Sequence, residues 1–174
     1  MSMVAETIYK MDVIIDGYNL LGADQGLQGA LDHRRDWLVQ QLSRYQNAKG
    51  FAVTVVFDGW KSGRPNEVNE KVNGVSVIYS RQGEKADDVV VRVARLKGSG
   101  CAVVSSDREV RNGVEKFGAA AIYAGEFNKI LRQLDDPGSY SNDCEAESSR
   151  SRDAKRLSKT ERRRQDRLNK LRLD

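Results

Sequence analysis

Five aspartates stand beside apolar segments of this sequence, and together they could bind a divalent cation. Asp16, Asp58 and Asp107 each follow a short segment rich in valine or isoleucine. Asp87 and Asp88 begin a segment in which valines recur at helical spacing. Taken singly, each aspartate is more simply explained as a turn or N-cap residue. Taken together, carboxylates without a histidine or cysteine cluster favour Mg²⁺ or Mn²⁺ over zinc as the bound ion.

The segments around these aspartates predict an α/β fold, because short apolar segments alternate with segments of helical periodicity. The predicted strands are residues 11–15, 51–57, 75–79, 101–104 and 119–123. The predicted helices are residues 30–48, 86–98, 108–117 and 126–134. Strands separated by helices require parallel crossovers. We therefore expect a three-layer sandwich with a central, mainly parallel five-stranded sheet, followed by a C-terminal basic helix.

A parallel sheet would bring the aspartates together, since chemistry in such folds gathers beyond the carboxyl ends of the strands. Several carboxylates on one edge repel one another unless a cation neutralises them. Within the adjacent pair, Asp87 lies on the flank of the apolar face of its helix, whereas Asp88 faces solvent. Asp87 is therefore the better ligand, and Asp88 acts through water or favours the helix N-terminus.

Four short motifs follow one another across about residues 11–134. They are Val-Ile-Ile-Asp-Gly-Tyr-Asn (13–19), Val-Phe-Asp-Gly (56–59), Gly-Glu-Lys-Ala-Asp-Asp (83–88) and Ser-Ser-Asp (105–107). In this order and spacing the sequence resembles the NYN branch of the PIN-like nucleases, and within it the YacP-like group of bacterial predicted ribonucleases. The resemblance implies a PIN-like α/β sandwich that cleaves RNA phosphodiesters by water attack with metal-bound carboxylates.

The resemblance also implies roles for single residues. Matched motif to motif, Asp16, Asp87 and Asp107 are the catalytic metal ligands, and Asn19 is an orienting polar residue in the same pocket. The second-rank ligands are Asp58 and Asp88. Many PIN-like nucleases carry another acid one helical turn after the last motif aspartate, and this sequence has Arg111 there.

Other polar residues near the motifs have two interpretations each. Arg35 matches a basic position in the family's first helix, where it either contacts a phosphate or is a plain surface residue. Ser105 and Ser106 either hydrogen-bond a ligand or phosphate, or cap the end of a strand. His33 is the only histidine of the chain. We expect it on the surface, and metal-free cleavage by a pair of histidines is excluded.

The charge of the chain is divided between an acidic body and a basic tail. Residues 150–174 hold eleven Lys or Arg and four acids, a net charge of +7, which leaves −3 for the first 149 residues of a chain whose net charge is +4. Such a tail is common in proteins that approach nucleic acid. We expect Arg162, Arg163, Arg164 and Arg167 to bind RNA phosphates, on a helix that orders on contact. The alternatives are a solvated helix and, less favoured, a membrane anchor.

The predicted organisation has four parts: a leader (1–10), a nuclease domain (11–134), a flexible linker (135–153) and a basic helical tail (154–174). Cys101 is expected to be a buried free thiol, and with Cys144 it forms no metal or disulfide motif. No segment has the length of a membrane helix. We therefore expect a cytoplasmic protein whose partner is RNA, either messenger RNA or ribosome-associated RNA, and no membrane.

The function that we expect is a metal-dependent endoribonuclease with Mg²⁺ or Mn²⁺, whose basic tail aids RNA or ribosome binding. A rival interpretation is a catalytically weak or inactive RNA-binding module of the same fold, which Arg111 favours. A phosphatase with an aspartyl nucleophile would need a second acid two residues after Asp16, where Tyr18 stands. A dinucleotide-binding domain would need Gly-x-Gly-x-x-Gly after the first strand, and this sequence lacks it.

Overall fold

The computed structural model describes residues 11–23, 29–59, 65–135 and 157–173. The strands in these residues are β1 (Asp12–Asp16), β2 (Ala52–Phe57), β3 (Val68–Val72), β4 (Val75–Tyr79), β5 (Cys101–Val104) and β6 (Ala120–Ile122). The α-helices are α1 (Gly17–Ala23), α2 (Leu31–Lys49), α3 (Ala86–Lys97), α4 (Arg108–Glu115), α5 (Ala124–Arg132) and α6 (Lys159–Leu171). None of these helices is long and apolar enough to cross a membrane.

The strands form one sheet in the order β3-β4-β2-β1-β5-β6. All neighbours pair in parallel except β3, which is antiparallel to β4. The central strand β1 is rich in β-branched residues, and Val13, Ile14 and Ile15 have no exposed surface. Such burial on both faces is usual for parallel strands, which helices cover on either side. The mainly parallel sheet predicted from the sequence is thereby confirmed.

Two hydrophobic cores lie on the two faces of the sheet and make the three layers. Val13 and Ile15 point into the core under α1, α2, α5 and α6. Ile14 points into the other core, under α3 and α4. This alternation follows from the two-residue period of a strand. Cys101 is a buried free thiol in the second core, as expected.

The sheet has six strands rather than the five that the sequence predicted. The additional strand, β3, lies in a segment for which the sequence predicted neither a strand nor a helix, and four of its five residues are exposed. An edge strand with little buried surface shows no apolar run, so its sequence resembles a loop. Asn73 (φ 51°) and Gly74 (φ 87°) turn the chain between β3 and β4. An Asn-Gly pair favours such a two-residue hairpin turn, so this pair was the sequence signal from which the β3–β4 hairpin could have been predicted.

Helix α6 packs against the main core of the molecule. Leu168 and Leu171 are 5% and 0% exposed, and both belong to the core that contains β1. The Tyr45 hydroxyl donates a hydrogen bond of 2.8 Å to the Leu171 carbonyl. This packing corrects the expectation that the helix orders only on contact with RNA. The predicted leader (1–10) and nearly all of the predicted linker, with Cys144, lie outside the described residues.

Candidate active site

Asp16, Asp87 and Asp107, the three aspartates implied to be the main ligands, lie at the carboxyl edge of the sheet, and Asp87 and Asp107 are both close enough to Asp16 to affect its pKa. In the sheet, β2 and β4 lie on one side of β1 and β5 lies on the other side. Helix α3 connects β4 to β5 and so crosses from one side of β1 to the other. The carboxyl ends of β1 and β5 therefore form a topological switch point, where α/β folds place their ligand sites. Asp16 ends β1, Asp107 precedes α4, and Asp87 lies in the first turn of α3.

The buried Asp16 and the half-buried Asp87 form a carboxyl pair. Asp16 is only 5% exposed. Burial raises the pKa of Asp16 to about 7, and the hydrogen bond that protonated Asp16 donates to Asp87, together with the charge of Asp87, contributes to this rise. The backbone N–H of Asn19, 3.4 Å from Asp16 Oδ1, opposes the increase. Two carboxyls so placed must be neutralised by a shared proton or by a cation.

Asp107 stands beside this pair but also has a structural role. Its Oδ1 accepts hydrogen bonds from the backbone N–H groups of Glu109 (2.8 Å) and Val110 (3.2 Å), so it caps α4. Its Oδ2 makes no hydrogen bond with any described residue. The charge of Asp107 contributes to the raised pKa of Asp16, which shows that the two carboxyls are close enough to interact.

The three carboxylates offer the hard oxygen donors that Mg²⁺ and Mn²⁺ prefer. Among the described residues, no three acidic, histidine or cysteine side chains converge closely enough to hold an ion by themselves. Burial is the largest cause of the raised pKa of Asp16, but the charges of Asp87 and Asp107 also contribute to it, so both carboxyls lie near Asp16. The two findings agree if Asp16 and Asp87 are the direct donors and Asp107 contributes its charge and its remaining oxygen. The donor set therefore fits such a cation.

Asn19 joins the two strand ends of the site. Its side-chain Oδ1 accepts a hydrogen bond of 2.9 Å from the Ser106 N–H. The Ser106 hydroxyl in turn accepts from the Ala124 N–H at 3.1 Å, and the Ser105 hydroxyl accepts from the Asp107 N–H at 3.1 Å. Both serines thus stabilise the segment after β5, which is the capping role that the sequence left open. Phosphate contact by the exposed Ser106 stays a prediction.

The second-rank candidates lie apart from the carboxyl pair. Asp58 follows β2 and is close to Tyr18, whose pKa it helps to raise after the larger effect of burial. Asp88 is exposed on the outer side of α3, as helical geometry predicted. Neither contributes to the raised pKa of Asp16. Their role as metal ligands stays a prediction that this geometry does not favour.

Arg35 belongs to an aromatic cluster beside the site, although the sequence allowed a plain surface residue. Its side chain is 12% exposed and pairs with Asp32. Its Nη1 donates a hydrogen bond of 3.4 Å to the Tyr18 hydroxyl, and its guanidinium carbon lies 5.8 Å from the centre of the Tyr79 ring. Phe57 lies between Tyr18 and Tyr79, with ring centres 5.2 and 5.8 Å away. The sequence interpretation missed this aromatic cluster, although Phe57 and Tyr79 each end a strand and that position was an available signal.

Close packing at Gly17 explains why a glycine follows Asp16 in the first motif. A Cβ atom at this position would lie 2.3 Å from Cε1 of Phe57. The close approach lets α1 begin directly after β1, with Tyr18 against the Phe57 ring. Glycine is therefore required here by packing, not by an unusual backbone conformation.

The four arginines predicted to bind RNA have different surroundings on α6. Arg164 is 13% exposed and pairs with Glu126 at 2.7 Å and with Glu161 at 2.8 Å. Arg167 donates a hydrogen bond of 2.6 Å to the Ser99 carbonyl. These two hold the helix on the domain. Arg162 is exposed and Arg163 is half-buried, so they are better placed to meet a ligand. RNA contact by any of the four stays a prediction.

Comparison with known proteins finds similar chains in Bacillus subtilis. The sequence is 33% identical over 92 residues to the uncharacterized protein YacP of Bacillus subtilis (strain 168), a match that covers 49% of this chain and 52% of that protein. The fold is similar to the crystal structure of Rae1 (YacP) from Bacillus subtilis, with 26% identity, a TM-score of 0.58 and coverage of 71% of this chain and 74% of that one. A substituted variant of Rae1 gives 25% identity, a TM-score of 0.61 and coverage of 72% and 77%.

The YacP-like NYN domain family matches residues 13–172 of this sequence. The matched range includes α6, which the motif resemblance had left outside. NYN domains are PIN-like nuclease domains, so this match suggests a nuclease and agrees with the carboxylates at the switch point. From the family match, and in accord with the fold and the site geometry, we conclude that this chain belongs to the YacP-like NYN domain family.

Proposed function

We propose that this protein is a metal-dependent endoribonuclease that hydrolyses RNA phosphodiester bonds with Mg²⁺ or Mn²⁺. The observation that carries the proposal is the pair formed by the buried carboxyl of Asp16 and the half-buried carboxyl of Asp87, next to Asp107, at the switch point of the sheet. A buried carboxylate beside a second carboxylate destabilises the fold unless a cation or a proton neutralises the charge. Strongly perturbed pKa values, such as the raised pKa of Asp16, also cluster at functional sites.

The roles follow from the geometry. Asp16 and Asp87 would hold the cation, and Asp107 would add its charge and its remaining oxygen. A bound divalent cation lowers the pKa of a water and neutralises charge on the phosphate. In the hydrolysis, a water oxygen bonds to phosphorus, one ester P–O bond breaks, and the departing oxygen takes up a proton. Asn19 keeps the segment of Ser106 and Asp107 in place relative to β1.

RNA is the proposed substrate and partner, either as messenger RNA or as ribosome-associated RNA. Support comes from the exposed basic residues of α6, among them Lys159, Arg162 and Lys170. Such residues bind phosphates with little sequence preference. We propose cleavage at internal positions of the RNA because the carboxyl pair lies at the edge of the β-sheet. An RNA strand can pass this edge without its 5′ or 3′ end entering the site.

The test is incubation of the purified protein with single-stranded and structured RNA in EDTA, Mg²⁺ or Mn²⁺. We expect internal cuts that require the metal and that disappear in an Asp16→Asn/Asp107→Asn variant. The loss should be about a hundredfold or more, because the variant removes charges that bind the metal. Cutting that continues unchanged in EDTA, or in this variant, would refute the proposal.

A second candidate function is a catalytically weak or inactive RNA-binding module of the same fold. Two observations favour it. No three ligand side chains converge closely among the described residues, and Arg111 stands one helical turn after Asp107. RNA binding that is indifferent to metal, without any cleavage by the wild-type protein, would select this alternative.

A further inference from the structure

Tyr123 forms an exposed aromatic surface beside the candidate active site. It directly follows β6, the neighbour of β5 in the sheet. The next residue, Ala124, donates its N–H to the Ser106 hydroxyl, one residue before Asp107. Tyr123 is 38% exposed, one of few large apolar side chains so exposed among the described residues. Its ring therefore lies at the same edge as the aspartates.

Arg111 lies flat against this ring. Its guanidinium carbon is 3.8 Å from the centre of the Tyr123 ring, which is the distance of a stacked contact. Nε of Arg111 is buried and has no hydrogen-bond partner. Contact with an aromatic face is favourable for a guanidinium, which is planar and weakly hydrated. Tyr123 thus holds Arg111 in one orientation.

The guanidinium of Arg111 is not neutralised within the described part of the chain. Arg111 lies one helical turn after Asp107, and its backbone N–H donates a hydrogen bond of 3.0 Å to the Asp107 carbonyl. Residues four apart on a helix can form an ion pair. Arg111 forms none with Asp107 or with any other described residue, because it lies on Tyr123 instead.

Arg164 approaches the same ring but differs in charge balance. Its guanidinium carbon is 5.0 Å from the centre of the Tyr123 ring. Glu126 and Glu161 both pair with it, so its charge is compensated. Of the two arginines at this ring, only Arg111 keeps a positive charge that the described residues leave uncompensated.

We propose that Arg111, held flat on the Tyr123 ring, binds a phosphate of the RNA substrate. This phosphate is the neighbour, along the RNA strand, of the phosphate at which cleavage occurs. The inference rests on the proposed function and names a substrate-binding residue for it. The backbone of Arg111 lies one helical turn beyond that of Asp107, a rise of about 6 Å, so an RNA strand that reaches the aspartates can bring a neighbouring phosphate to Arg111. A guanidinium with its edge free can bind a phosphate through two parallel hydrogen bonds. Tyr123 is a positioning residue in this scheme.

The arrangement also explains why a basic residue is tolerated near a metal site. An arginine paired with Asp107 would cancel the charge that a cation needs. Arg111 stacks on Tyr123 and forms no ion pair with Asp107, which leaves that carboxylate to the site. The same contact that presents Arg111 to a phosphate therefore protects the acidic cluster.

The experiment measures binding of a labelled single-stranded RNA oligonucleotide to the full chain in EDTA, over a range of KCl concentrations. For Arg111→Gln we expect the Kd to rise about five- to tenfold. We also expect the slope of log K against log salt to fall by about 0.7, the value for one lost phosphate contact on a single strand. Arg111→Met, which keeps an apolar chain on the ring, should give the same change in slope.

Two further variants separate charge from stacking. Tyr123→Leu keeps every charge, so its Kd should rise about threefold with the salt slope unchanged. Arg95→Gln is the matched control, because Arg95 lies 5.6 Å from the ring centre of Phe117 in a similar pair on other elements. It removes the same charge away from the aspartates and should alter neither the Kd nor the slope. Thermal melting of each variant checks that it is folded.

The outcomes are distinct from those of the cleavage test. An unchanged salt slope in folded Arg111→Gln and Arg111→Met would overturn the inference, even if the wild-type protein cleaves RNA. An effect of Arg95→Gln equal to that of Arg111→Gln would overturn it as well, since general charge would then explain both. A lower slope for the Arg111 variants alone would support it, even if no cleavage is seen.

Discussion

At the scale of single residues, the carboxyl of Asp16 sets the electrostatic state of the candidate site. It ends a buried strand, is 5% exposed and contacts Asp87. Burial and then Asp87 raise its pKa to about 7, from an ordinary value of 3.8. Without a cation, the folded protein therefore takes up a proton at Asp16 that the unfolded chain releases at lower pH. A bound cation would take the place of this proton.

Asp16→Asn should therefore stabilise the metal-free protein at alkaline pH. The folded-state pKa of Asp16 is raised, so the wild-type protein loses stability as the pH rises from about 4 through about 7. The variant carries no such charge. Its free energy of unfolding relative to wild type should increase by about 1 to 3 kcal/mol between pH 5 and pH 8 in EDTA. Urea denaturation at the two pH values measures this difference, and a difference independent of pH would contradict the argument.

The residues of the site could be predicted only in part. Asp16, Asp87 and Asp107 could be found because each stands next to a strand or helix end that the apolar pattern marks. The stacking of Arg111 on Tyr123 could not, since it depends on how α4 and the end of β6 pack. The roles of Ser105 and Ser106 as caps depend likewise on the neighbouring strand.

At the scale of elements, helix α6 is held by a small apolar contact and a few polar ones. Leu171 has no exposed surface, and Tyr45 donates a hydrogen bond to its carbonyl. Arg164 pairs with Glu126 from the neighbouring helix α5. Apolar burial should contribute more to stability than this half-buried ion pair, because ion pairs in contact with solvent gain little.

Leu171→Ala should lower the free energy of unfolding by about 2 to 4 kcal/mol, the usual cost of a large-to-small change in a core. Leu157→Ala is the matched control, because Leu157 is 54% exposed. It should change stability by less than about 0.5 kcal/mol. Urea denaturation monitored by tryptophan fluorescence would measure both. Equal effects of the two substitutions would show that α6 does not depend on the core contact.

The sequence predicted the C-terminal helix itself, but neither the edge strand β3 nor the packing of α6 on the core, and one physical reason explains both. The edge strand β3 has four exposed residues out of five, and α6 buries only Leu168 and Leu171. Neither segment carries the apolar periodicity that marked β1, α3 and the other central elements. Their structure comes from tertiary contacts, which a single sequence does not display.

At the scale of the whole molecule, the sheet brings negatively charged side chains together at one edge. Repulsion between these carboxylates then destabilises the fold. Parallel strands end at that edge on both sides of β1, so Asp16, Asp87 and Asp107 cannot avoid one another. Cation binding and stability are therefore coupled, because a ligand that binds only the folded state stabilises it.

Addition of Mg²⁺ or Mn²⁺ at pH 8 should raise the Tm of the wild-type protein. At a metal concentration of one hundred times Kd, the gain is about 2.7 kcal/mol, which corresponds to about 5 to 10 °C for a chain of this size. The Asp16→Asn/Asp107→Asn variant is the control and should show little change. An equal shift in both proteins would place the metal elsewhere.

The central claim is tested most directly by comparing RNA cleavage by Asp87→Asn and Asp88→Asn in Mg²⁺. The two substitutions remove the same charge from adjacent residues of α3, but only Asp87 contacts Asp16, whereas Asp88 is exposed. We predict that Asp87→Asn lowers the rate about a hundredfold or more, and that Asp88→Asn cleaves at nearly the wild-type rate. Equal loss in both variants, or full activity of Asp87→Asn, would contradict a catalytic site built on the Asp16–Asp87 pair.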